Sequence, residues 1–190
     1  MFSKNNRTCH FYDLWLIINR TIEQMFGGVI VRPYTIREAV ARAKAKQLLR
    51  EYSISHPPVC PEDLAERLNI KICYHWVDDV DFSFSLKKKG KYFICIHPTG
   101  NQGRDTWSIA HELGHIVLGH YELYPVDTIT IDRLNDSERY ILDREADIFS
   151  EELLMPAEWI IQHKDANLKE LFNVSEKAIS IRLEKLSCLL

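Results

Sequence analysis

Two histidines four residues apart, His111 and His115, stand inside an apolar run from Trp107 to Leu118 and enclose Glu112, an H-E-x-x-H arrangement. On an α-helix, residues four apart share a face, one turn above the other, so both imidazoles reach a single metal ion. Glu112 lies about 100° round the helix from His111, where its carboxylate meets a water at the metal without taking a coordination position. The spacing assigns two metal ligands and a general base. Asp105 or Thr106 is expected to cap this helix, Ile109, Ala110, Leu113, Ile116 and Val117 form its buried stripe, and Gly119 stops it.

A third ligand has to come from elsewhere. His120 is a weak choice, because the metzincin pattern places its third histidine ten positions after the first and His120 stands at nine. A second helix, capped by Asp136 and ended by Pro156, carries Ile141, Leu142, Ile148, Phe149, Leu153 and Leu154 at helical spacing. Glu145 falls on that apolar stripe. Burying a carboxylate unpaired costs several kcal/mol, and a metal cation meets the need for a partner.

Composition sets the frame for these helices. With 190 residues, 46% of them hydrophobic, the chain fits one globular domain with a sizeable core. A formal net charge of −3 shows none of the basic excess of a nucleic-acid binder. Cys9, Cys60, Cys73, Cys95 and Cys188 include no C-x-x-C pair, and they read as free thiols of a reducing cytosol.

Ahead of the domain, Phe11, Leu14, Trp15, Ile18, Ile22 and Met25 recur at helical spacing, so residues 1–30 read as an amphipathic extension that covers the domain or a second subunit. An interfacial membrane contact is the other reading. Asp13 interrupts the apolar stretch and no A-x-A follows, which argues against a secretory signal, and the run is too short to span a bilayer.

Within residues 31–190 a helix is expected from Thr35, with Glu38 completing a capping box, to Tyr52, burying Ile36, Val40, Ala43, Leu48 and Leu49. Pro61 opens a short helix that ends at Asn69. Strands follow at Ile70 to Val77, Asp81 to Leu86 and Lys91 to His97, the last two joined by Lys87-Lys88-Lys89-Gly90. Phe82, Phe84 and Leu86 alternate with serines and are expected to face the core. If one of these strands is an edge beside the metal helix, an extended peptide can pair with it. The stretch from Tyr121 to Asn135, with Ile129-Thr130-Ile131 inside it, is left without an element and expected over the cleft. Residues 165–190 have helix-turn-helix-like spacing, but Lys177, Arg182 and Lys185 are balanced by Glu176 and Glu184, so this tail is expected to pack on the core. The fold class is α+β: an H-E-x-x-H domain with helices on a sheet of about three strands.

The run Ile109-Ala110-His111-Glu112-Leu113-Gly114-His115, followed by Arg144-Glu145-Ala146-Asp147-Ile148-Phe149 and Leu153-Leu154-Met155-Pro156, resembles the ImmA/IrrE family of zinc metallo-endopeptidases. The likeness covers roughly residues 35–185, including Pro57-Pro58 and the stretch from Val174-Ser175 to Arg182-Leu183. It implies His111, His115 and Glu145 as zinc ligands, with Mn²⁺ or Co²⁺ as possible substitutes, and Glu112 as the catalytic carboxylate. It further implies an endopeptidase that cuts a helix-turn-helix repressor in mobile-element or stress regulation; from the cysteines, charge and apolar patterning, a cytoplasmic location and no direct nucleic-acid or membrane partner are expected. His97 stands where the family often has asparagine. Tyr121, Tyr124, Arg139 and His97 are candidates to stabilise the oxyanion, and Asp147 to support a ligand. Two other readings use the same residues: a zinc-stabilised interaction protein without turnover, and a DNA-binding regulator acting through Ser175 to Leu186.

Overall fold

A computed structural model describes residues 35–76, 82–123 and 136–187, together with Leu134 and the backbone of 128–129. The expected helix of residues 1–30 lies outside the described residues, as do Tyr124 and Pro125. The elements, in chain order, are α1 (Glu38–Glu51), α2 (Pro61–Arg67), β1 (Lys71–Tyr74), β2 (Phe84–Lys88), β3 (Lys91–Ile96), α3 (Gln102–Val117), a 3₁₀ turn (His120–Leu123), β4 (Thr128–Ile129), α4 (Asp136–Leu154), α5 (Ala157–Gln162), α6 (Leu168–Phe172) and α7 (Glu176–Ser187). Among the described residues, no helix is long and apolar enough to cross a membrane.

The sheet has the order β1-β3-β2-β4, with β1 parallel to β3 and the remaining pairs antiparallel. The expected three strands are its body, and two residues of the unassigned stretch add β4 beside Lys87 and Lys88. Lys88 pairs with Lys91, so the β2–β3 loop is only Lys89-Gly90, both at positive φ. Two left-handed residues match the twist of a tight hairpin, and Lys87 and Lys88 are thereby drawn into the strand.

The alternation along β2 is the reverse of the expected one. Ser85 is the buried residue, only 2% exposed, while Phe82 is 46% exposed and Phe84 and Leu86 are half-buried. A serine facing inward needs a hydrogen-bond partner, and Ser85 finds one on α3.

Helix α3 begins earlier than expected, capped by the Asn101 side chain, which accepts from the Arg104 N–H at 3.1 Å. Asp105 instead accepts from the Thr99 N–H and hydroxyl, tying down the preceding loop. The helix ends as expected at Gly119, whose positive φ lets its N–H reach the Ile116 carbonyl.

Helix α4 packs across α3 at Gly114. A Cβ there would stand 3.0 Å from Phe149 Cδ1 and 3.2 Å from Ala146 Cα, so the absence of a side chain sets how closely the two helices approach. Helix α1 buries Ala41, Ala45, Leu48 and Leu49, whereas Ile36, Val40 and Ala43 face outward. The buried stripe is thus rotated from the expected one towards the alanines, whose small side chains allow close helix packing. No Thr35 capping box forms, because Arg37 is the N-cap residue and its N–H is taken by Glu145 at 2.7 Å.

The tail folds as α6 and α7 joined through Asn173, at φ 51°, and packs on the core. Arg182, 1% exposed, donates to the Met155 carbonyl at 3.0 Å and to Glu152 at 2.9 Å, and Lys185 donates to Glu151 at 2.7 Å. Two of the tail's four basic side chains, Arg182 and Lys185, are therefore spent on α4.

Candidate metal centre

Helices α3 and α4 run antiparallel, and each presents a pair of polar residues four apart to the other. His111 Nδ1 lies 3.0 Å from Asp147 Oδ1, and His115 Nε2 lies 3.4 Å from Asp143 Oδ1. The two histidines turn their Nε2 atoms towards one another at 3.1 Å, with Asp143 Oδ1 4.0 Å from that of His111. One donor atom from each of His111, His115 and Asp143 falls within 4.8 Å of the others.

Glu145, the expected third ligand, is not beside the imidazole pair. Two residues along a helix rotate a side chain by about 200°, which separates the Glu145 carboxylate from the point that Asp143 reaches. Glu145 is clamped by Arg37, through the backbone N–H at 2.7 Å and through Nε and Nη2 at 2.9 and 2.6 Å. It also stands 3.1 Å from His120 Nε2. The buried carboxylate does have the partners that burial requires, but they are a guanidinium and an imidazole.

These contacts favour one assignment of the ring protons. A carboxylate only accepts, so neutral His120 donates from Nε2 to Glu145 and keeps a lone pair on Nδ1. His115 Nδ1, 2.8 Å away, donates to that lone pair. Its Nε2 is left unprotonated and facing Asp143. In the same way Asp147 accepts from His111 Nδ1–H and leaves the Nε2 lone pair of His111 towards the centre.

Electrostatics favour the neutral form of His115 and of His120. Burial lowers His115 to a pKa of about 3, against a smaller opposing pull from Asp143. Burial likewise lowers His120 although Glu145 opposes it. Burial acts to raise Glu145, but the hydrogen bonds from His120 and Arg37 outweigh it and bring its pKa to about 2. For His111, burial is outweighed by Asp147 and the other nearby carboxylates, and the pKa rises.

The donor set fits a divalent metal. Two neutral imidazoles and a carboxylate make the three-ligand set of catalytic zinc sites, and tetrahedral donors ~2.0–2.1 Å from a shared ion stand about 3.4 Å apart. Two of the three separations, 3.1 and 3.4 Å, lie close to that spacing, and the third is 4.0 Å. A family model described as the IrrE N-terminal-like domain, Peptidase_M78, matches residues 65–184.

The chain belongs to this metallopeptidase family.

For this IrrE-like chain the match includes every residue of the centre, whereas Arg37, which clamps Glu145, lies before it. A comparison with curated proteins gives no match.

Glu112 opens into the same cleft as His111, His115 and Asp143, a space of about 180 Å³ floored by Phe84 and Ser85. Ser85 Oγ donates to Glu112 Oε2 at 2.5 Å and lies 2.7 Å from the Tyr121 hydroxyl. Sequence reasoning missed Ser85 because it took the serines of β2 for the wet face, and it missed Asp143 because Glu145 sat on the apolar stripe. The available signal was the second polar pair, Asp143 and Asp147, four apart like the histidines. Among the other candidates, Tyr121 is fully buried behind Ser85, Arg139 is paired with Asp136 at 3.1 Å, and His97 lines a neighbouring groove.

Proposed function

We propose that the protein is a zinc-dependent endopeptidase of narrow specificity, with His111, His115 and Asp143 as the ligands and Glu112 as the general base. The observation that carries this reading is the placement of the Glu112 carboxylate in the cleft where the three donors converge. A divalent cation bound there supplies Lewis acidity, which lowers the pKa of water and polarises a carbonyl.

The chain's own residues account for the rest. Asp147 and His120 hold the two imidazoles in the tautomers that face the centre. Ser85 donates to Glu112 Oε2 and orients the carboxylate that takes a proton from the attacking water. The water oxygen bonds to the peptide carbon, Glu112 passes the proton to the amide nitrogen, and the C–N bond breaks. The backbone of β2 at Phe84 and Ser85 borders the cleft. An extended substrate can lie along it.

The likeness to ImmA/IrrE peptidases supports a helix-turn-helix repressor as substrate, and the free thiols of Cys60, Cys73 and Cys95 support a cytoplasmic setting. The test is to incubate the zinc-loaded chain, and its Glu112→Gln variant, with repressors encoded beside it. Cleavage by the wild type and none by a variant that still binds zinc is expected. Equal cleavage by the two would refute the role of Glu112.

A further inference from the structure

The catalytic cleft does not end at the metal centre. Past Asp147, Phe82 and Ser83 it opens into a larger groove of about 480 Å³ between the first turns of α3, the Arg144, Asp147 and Glu151 side of α4, and α7. That is within the ~300–1,000 Å³ range of ligand-binding clefts. Phe82 and Ser83 line both spaces, so a chain crossing the cleft beside β2 passes directly into this groove.

Its lining has a definite chemistry. Apolar contact comes from Trp107, Phe82 and Ile181, the last two 46% and 40% exposed. The charged lining residues are Arg104, Arg144, Lys177 and Lys185 against Asp147 and Glu151, a positive excess on a chain whose formal charge is −3. Both carboxylates are already engaged: Asp147 by His111 and Arg144, Glu151 by Lys185. Arg104 and Lys177 have no ion pair among the described residues, and both are exposed on the groove wall.

We infer that this groove holds an acidic, partly apolar segment of the polypeptide being cut, displaced to one side of the scissile bond, with Arg104 and Lys177 as its counter-charges. The inference rests on the peptidase reading, since continuity with the catalytic cleft is what makes the occupant a substrate chain. Charges on such a wall discriminate between ligands by attraction and repulsion and are weakened by salt.

The experiment has two arms. In the first, the zinc-loaded full chain digests a mixture of short randomised peptides, and the cut positions are read by mass spectrometry. Asp and Glu should be enriched on one side of the cut. The double reversal Arg104→Glu/Lys177→Glu should replace them with Lys and Arg, and the neutral Arg104→Gln/Lys177→Gln pair should remove the preference without inverting it. Cleavage without acidic enrichment, or an enrichment that the reversal leaves unchanged, overturns the inference.

In the second arm, zinc-loaded Glu112→Gln is titrated with fluorescein-labelled peptides of one apolar sequence carrying either glutamates or lysines, and with a short single-stranded DNA. The acidic peptide should bind about tenfold more tightly at low salt, and the reversal should abolish the difference. Equal binding of the two peptides, or reversal-sensitive binding of DNA alone, overturns the inference. Should the wild type cut nothing, the peptidase reading fails in the first arm while the second still decides what the groove binds.

Discussion

His120 Nε2 lies 3.1 Å from Glu145 Oε2, both side chains being fully buried, and this contact turns a histidine weighed as a ligand into one that holds another histidine in place. Through its other nitrogen His120 accepts from His115 at 2.8 Å. His120→Ala is therefore expected to weaken zinc binding by about 10–100-fold while leaving the fold in place. Competition against a chromophoric chelator measures the affinity, and circular dichroism checks the fold.

Glu145 makes a separate contribution to stability. Its pKa of about 2 in the folded chain lies below the ordinary 4.5. A depressed carboxylate stabilises the fold above its unfolded pKa, and this contribution is lost as pH falls through the folded value. Between about pH 5 and pH 2 the metal-free protein should lose on the order of 3 kcal/mol from this group. Glu145→Gln should be less stable near neutrality and show a flatter acid dependence over that window. Urea unfolding across the pH series measures both.

Ser85 is expected to act on turnover rather than on binding. Ser85→Ala removes the hydrogen bond that orients Glu112, so kcat should fall about tenfold, equivalent to ~1.4 kcal/mol, with KM and zinc content little changed. Steady-state kinetics on a cleavable peptide separates the two parameters.

Gly114 controls the distance across which Asp143 reaches the histidines. A side chain there meets Ala146 backbone and the buried Phe149 ring, and Gly114→Val should cost about 1–3 kcal/mol by overpacking. Thermal unfolding should show the loss, and zinc affinity should drop with it because α4 carries Asp143 outward.

Much of this site is legible in the chain itself. The spacing of His111 and His115 and the apolar residues between them require a buried helix, and Lys87-Lys88-Lys89-Gly90 marks a hairpin whose turn is its last two residues. Helical periodicity also located α4 and showed that Glu145 is buried and needs a partner. It could not say which partner, because Arg37 is 108 residues away in sequence and His120 is 25. Periodicity favoured Glu145 as an apolar-stripe residue, yet the carboxylate that stands beside the two imidazoles is Asp143, on the half-exposed edge of the helix–helix seam. The inward turn of Ser85 was likewise beyond reach, since its hydrogen bond to Glu112 overrides the preference of phenylalanine for the core.

The most direct measurement is the zinc affinity of Asp143→Ala beside that of the wild type, with circular dichroism showing both to be folded. One equivalent bound by the wild type, and an affinity at least about 100-fold weaker in the variant, is the expected result. A folded Asp143→Ala protein that binds zinc as tightly as the wild type would contradict the assignment of the metal centre.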